Sequence, residues 1–141
     1  MIPVTTPLTT PPSQHRAYTE MIMGLPFSLH LRGAFDPDAD HAVARAVWSS
    51  LRDADRIFST YRQDSDISRI DRGDLTVADA DPTVAEVLAM AEEARLATAG
   101  AFDVRYAGRL DPSGIVKGWA ASRAAVLIDL PGNDWYLNAG G

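Results

Sequence analysis

Apolar and polar positions alternate in one stretch of the chain and recur at helical spacing in three others. Phe27, Leu29 and Leu31 interleave with Ser28, His30 and Arg32, the period-two pattern of a half-buried strand. Gly24 and Pro26 interrupt the segment ahead of it and predict a bend. From Asp36 the period changes. Val43, Val47, Leu51, Ala54 and Phe58 step by three or four and give one apolar helical face. Asp36-Pro37 opens that helix with an N-cap and a first-turn proline, and its end is expected near Phe58.

A second long helix opens in the same way at Asp81-Pro82. Val84, Val87, Leu88, Ala91 and Ala94 line its buried side, and Gly100 is the expected stop. Between the two, Ser65 is placed to cap a short helix that buries Ile67 and Ile70. A third long helix is expected from about Ile115 to Ile128, burying Val116, Ala120, Ala124 and Leu127, before Pro131-Gly132 ends it. Residues 134–139, DWYLNA, read as a short strand. This order lacks regular βαβ alternation and any internal repeat. It predicts an α+β fold, a mixed or antiparallel sheet with about three helices packed against it. Gly140-Gly141 suits a tight turn or a close backbone approach to a ligand better than a terminus, so the domain is expected to be incomplete.

Composition narrows the picture. The 141 residues suit one domain, and 46% hydrophobic with 23% charged residues is ordinary for a globular protein. Residues 1–17 contain four of the nine prolines and four threonines and are expected to form a disordered arm, leaving 18–141 as the folded part. The absence of cysteine excludes disulfides, thiolate metal sites and cysteine nucleophiles. A net charge of −6 argues against nucleic acid or an anionic membrane as the main partner. The first twenty residues lack a basic segment followed by an apolar one, and no apolar run reaches the length of a membrane span. A soluble, cytoplasmic protein is the expectation.

Common phosphate, dinucleotide, zinc-protease and hydrolase motifs are absent. His15, His30 and His41 are scattered and read as isolated histidines. Five short segments carry more: Met23-Gly24; FSTYRQDSDISRI at 58–70; TAGAFDV at 98–104; DPSGIVKGWA at 111–120; and LNAGG at 137–141. Each has a plain structural explanation. Met23 fits a core methionine beside a bend, and Tyr61 a surface aromatic. Ser65-Asp66 fits a helix cap, and Gly100 to Asp103 a helix stop followed by a core Phe. Asp111 to Gly114 meets the preferences of a type I turn, and Lys117 fits a solvated lysine.

Taken together and in order, these segments resemble the N-terminal part of the ApbE family, in a form similar to actinobacterial members. The resemblance covers roughly residues 20–141. It implies that Met23, Tyr61, Ala101, Phe102, Asp103, Asp111 and Lys117 contact FAD. It also implies that the main-chain carbonyl of Gly114 helps to hold Mg²⁺, a hard ion that takes oxygen ligands. The implied activity is that of an FAD:protein FMN transferase. Such an enzyme cleaves the pyrophosphate of FAD, transfers FMN to a Thr or Ser hydroxyl of an acceptor flavoprotein and releases AMP. After N-A-G-G the family continues with an Asp and a second half that holds side-chain Mg²⁺ ligands, an Asp and a Thr, and neither is present here. Two alternatives therefore stand beside the transferase: a non-catalytic flavin-binding module, and a pyrophosphatase that converts FAD to FMN and AMP.

Overall fold

The computed structural model describes residues 13–140. In chain order the elements are β1 (Gln14–Ile22), β2 (Leu25–Gly33), α1 (Pro37–Phe58), α2 (Asp66–Asp71), α3 (Pro82–Ala97), α4 (Ser113–Ala125) and β3 (Asn133–Ala139). The strands form one antiparallel sheet in the order β1-β2-β3. The helices cover one face, with α1 against β1 and α4 against both α1 and β3. This is the expected α+β arrangement, with three long helices and the short one capped by Ser65. No helix among the described residues is long and apolar enough to cross a membrane.

The alternation in β2 sends Phe27, Leu29 and Leu31 into the core, where they meet Val47, Leu51 and Phe58 of α1 and Val116 and Ala120 of α4. Asp36 caps α1 as expected, its carboxylate accepting from the amides of Asp38 and Ala39 at 3.1 Å.

Four features differ from the sequence reading. Strand β1 starts at Gln14, so residues 14–17 of the expected arm belong to the sheet; residues 1–12 lie outside the described residues. The bend at Gly24 is a two-residue hairpin, because Ile22 pairs directly with Leu25. Met23 and Gly24 both take positive φ, 55° and 70°, as a turn of type I′ requires. Helix α3 ends one position earlier than Gly100 predicts. The left-handed residue that closes it is Ala99, with φ 51°. The amide of Gly100 donates to the Arg95 carbonyl at 2.8 Å and that of Ala99 to Leu96 at 3.3 Å, the paired bonds of a Schellman ending. Finally, α4 occupies Ser113–Ala125, not 115–128. Ending at Ala125 turns Leu127 outward and buries Ile128 in its place.

At the far end of the sheet from the hairpin turn, a buried ion cluster ties three elements together. Asp40, in the first turn of α1, has no exposed surface. Its carboxylate accepts from Arg16 Nε, from Arg16 Nη2 at 2.9 Å and from the Tyr18 hydroxyl at 3.0 Å. Arg16 also donates to the carbonyls of Gln14, Gly33 and Ala34 and, at 2.9 Å, to Asn133 Oδ1 at the start of β3. The Arg16 guanidinium holds the Asp40 carboxyl below its ordinary range and is itself raised by the carboxylate. Burial raises the Tyr18 phenol, and its bond to Asp40 adds to the effect.

Candidate functional site

Helix α1 runs from this ion cluster to the opposite end of the molecule, where it stops at Phe58. Four pieces of chain meet there. The β1–β2 turn brings Met23, Gly24 and Leu25. The end of α1 brings Asp55 and Phe58, the segment after it brings residues 59–62, and α4 brings Ser113, Val116 and Lys117. They enclose an open cleft of about 340 Å³, within the size range of small-molecule sites.

The segment after α1 is held by hydroxyl groups. The Ser59 amide donates to the Asp55 carbonyl at 2.9 Å. The Ser59 hydroxyl accepts from the amides of Tyr61 and Arg62, both at 3.3 Å. Ser65 is fully buried; its hydroxyl donates to the Ser59 carbonyl at 2.6 Å and accepts from the Ser68 amide at 3.1 Å. The expected cap of α2 therefore also fastens the loop that carries Tyr61. Asp66 does more than open α2, since its carboxylate accepts from the Asp81 amide at 2.7 Å and links α2 to the start of α3. So fixed, the loop presents the Tyr61 side chain outward, 98% exposed.

Lys117 lies in the second turn of α4. Its Nζ is 3.5 Å from the point where a Cβ on Gly140 would sit, and the Gly140 amide donates to the Pro26 carbonyl at 2.9 Å. The cleft thus carries the cations Lys117 and Arg62 and one carboxylate, Asp55. Arg62 bonds outward to Asp64 at 3.3 and 3.4 Å. That contact draws the Asp64 carboxyl below its usual range.

Of the residues singled out in the sequence, Met23, Tyr61 and Lys117 come together in this cleft. Ala101, Phe102, Asp103 and Asp111 do not line it. Ala101 is exposed. Phe102 sits over the start of α4, its ring edge 3.0 Å from where a Cβ on Gly114 would lie. Asp103 borders a separate hollow with Glu92 and Arg95 on α3 and accepts from the Arg105 amide at 2.9 Å. Asp111 accepts from the Ser113 amide at 3.0 Å and so shapes the turn into α4. The Asp111 to Gly114 segment is thus the start of a helix and not a free turn. Arg62, Asp55 and Ser113 line the cleft without having been picked out. The one signal for them was that Arg62 and Ser113 fall inside the matched segments.

Gly114, second in α4, offers one main-chain carbonyl. Among the described residues, no three His, Asp or Glu side chains come together as a metal site. Mg²⁺ takes a near-octahedral oxygen shell, so these residues alone do not fit it.

The sequence profile of the ApbE family matches residues 23–108, more than half of the chain. A sequence comparison with proteins of curated function finds no match. Among solved structures, a mutant of the flavin transferase ApbE from Vibrio cholerae superimposes with a TM-score of 0.74 at 16% identity, covering 91% of this chain and 61% of that one. The apo flavinyl transferase ApbE of Pseudomonas stutzeri gives 0.69 at 19% identity, covering 92% and 59%. A further structure of the Vibrio cholerae protein gives 0.63 at 17%, covering 82% and 53%. The chain therefore shares their fold and spans about three fifths of the length of the first two.

Proposed function

This chain belongs to the ApbE family, and from that premise we propose that its cleft binds FAD as part of an FAD:protein FMN transferase. The observation that carries the reading is the meeting of Met23, Tyr61 and Lys117, from a hairpin turn, a loop and a helix, around one opening. Each suits a part of the ligand. A soft thioether packs well on an aromatic ring. An exposed tyrosine offers a flat apolar body and a hydroxyl. An ammonium near the start of a helix attracts phosphate.

In the proposed reaction an acceptor Thr or Ser oxygen attacks the FMN phosphorus. The P–O bond of the anhydride breaks, AMP leaves with the bridging oxygen, and the hydroxyl proton passes to a base. The Gly114 carbonyl would supply one oxygen to a Mg²⁺ ion but would not hold it alone, so no step is assigned to the ion. Phe102 and the turn held by Asp111 keep the start of α4 in place beside Ser113 and Lys117.

The test has two steps. Flavin fluorescence titrated with the chain should report FAD binding that Tyr61→Ala and Lys117→Ala each weaken. Incubation of the chain joined to the rest of the ApbE fold, with FAD, Mg²⁺ and an acceptor flavoprotein, should then add the mass of one FMN to the acceptor as AMP appears, whereas residues 1–141 alone should not. Release of FMN and AMP with no labelled acceptor would identify a pyrophosphatase. Binding with no turnover would identify a flavin-binding module, and no binding would overturn the flavin reading.

A further inference from the structure

The cleft contains a second cation, Arg62, whose only side-chain partner among the described residues is a surface carboxylate. Its bonds to Asp64 are long, at 3.3 and 3.4 Å, and the Arg62 and Asp64 side chains are 43% and 75% exposed. Water and salt screen such a pair strongly, so little holds the guanidinium in its present direction. The backbone beneath it is fixed, by the Ser59 hydroxyl on its amide and by the buried Ser65 hydroxyl on the Ser59 carbonyl. Arg62 is thus a weakly held fork on a hydrogen-bonded base at the edge of the cleft.

Charge counting shows what the fork is suited to. Each phosphate of a flavin dinucleotide carries a negative charge. Lys117 supplies one positive charge and Asp55 cancels it. Without Arg62 the side chains of the cleft would sum to zero and offer a diphosphate no net attraction. A guanidinium also meets phosphate oxygens with two parallel N–H bonds, a geometry closed to an ammonium.

We propose that Arg62 is a second diphosphate-binding residue of this cleft, exchanging Asp64 for the phosphates of FAD when the ligand arrives. The inference rests on the flavin reading and adds to it a residue and a division of labour. Lys117 holds the phosphates from the helix side and Arg62 closes over them from the loop.

The 141-residue chain is titrated with FAD and, separately, with riboflavin, which has the same ring and no phosphate. Arg62→Gln should weaken FAD about tenfold and leave riboflavin within about twofold. Arg62→Lys, which keeps the charge and loses the fork, should fall between. The deficit should shrink at high salt. Arg95→Gln, whose residue pairs with Glu92 on α3, should change neither affinity. Equal FAD affinity in wild type and Arg62→Gln overturns the inference while leaving the flavin reading intact. An equal loss for FAD and riboflavin also overturns it, because the residue would then act on the ring or the fold. A wild-type chain that binds neither ligand removes the flavin reading, and the inference with it.

Discussion

Truncating Asp40 to Ala removes the acceptor of three hydrogen bonds, two from Arg16 and one from Tyr18. It also leaves the Arg16 guanidinium, 11% exposed, without its counter-charge. Breaking a buried pair from one side costs about 3–5 kcal/mol. For a domain of this size that is a fall in Tm of roughly 10–20 °C. Arg16→Met should cost a similar amount, because it strands the carboxylate. The double variant should fall short of the sum by about 1–3 kcal/mol, since the stranded charge disappears when both partners go. Recovery will be incomplete, because Arg16 also satisfies the carbonyls of Gln14, Gly33 and Ala34 and the amide side chain of Asn133. Urea unfolding of the four proteins measures the cycle. Additivity within about 0.5 kcal/mol, or a loss below about 1 kcal/mol for Asp40→Ala, would refute the account of the cluster as a coupled unit.

The same cluster predicts a pH dependence. Because the Arg16 hydrogen bond lowers the folded pKa of Asp40, its stabilisation is complete above the unfolded carboxyl value, about 3.9, and is lost as pH falls through the lower folded value. Acid unfolding followed by circular dichroism should therefore be shallower in Asp40→Asn than in wild type below about pH 4. Ala99→Gly should raise stability by about 0.5–1 kcal/mol in a urea melt, since glycine takes the left-handed conformation without the steric cost that alanine bears. Ser65→Ala removes both the cap of α2 and the bond to the Ser59 carbonyl. It should cost about 1–3 kcal/mol and speed amide exchange at Tyr61 and Arg62.

What the sequence discloses here depends on whether a signal is local. Helix α1 is legible because Asp36-Pro37 and a regular apolar step lie within one segment. Strand β1 is not, since the face it turns to the core carries Arg16, Tyr18 and Glu20 opposite Leu31, Leu29 and Phe27. Those polar residues are tolerated there because Asp40 and Arg52 come from α1 to meet them. The end of α3 was misplaced by one residue because Gly100 is the obvious candidate, while its neighbour Ala99 takes the strained position. At the cleft, Met23, Tyr61 and Lys117 were singled out by family resemblance, not by periodicity. Asp55 has no motif of its own, and only folding brings the last turn of α1 against the hairpin and α4.

Met23 occupies a turn position where asparagine or glycine would be more comfortable, yet its side chain helps to wall the cleft. Sequences chosen only for how well they fold would tend to replace it, because relieving a positive φ is an easy gain. The hairpin tip is therefore a place where selection for durability and selection for ligand would pull toward different amino acids. A laboratory lineage evolved for heat resistance alone should drift there as readily as at Ala99, and the wall of the cleft would record the drift before any loss of fold did.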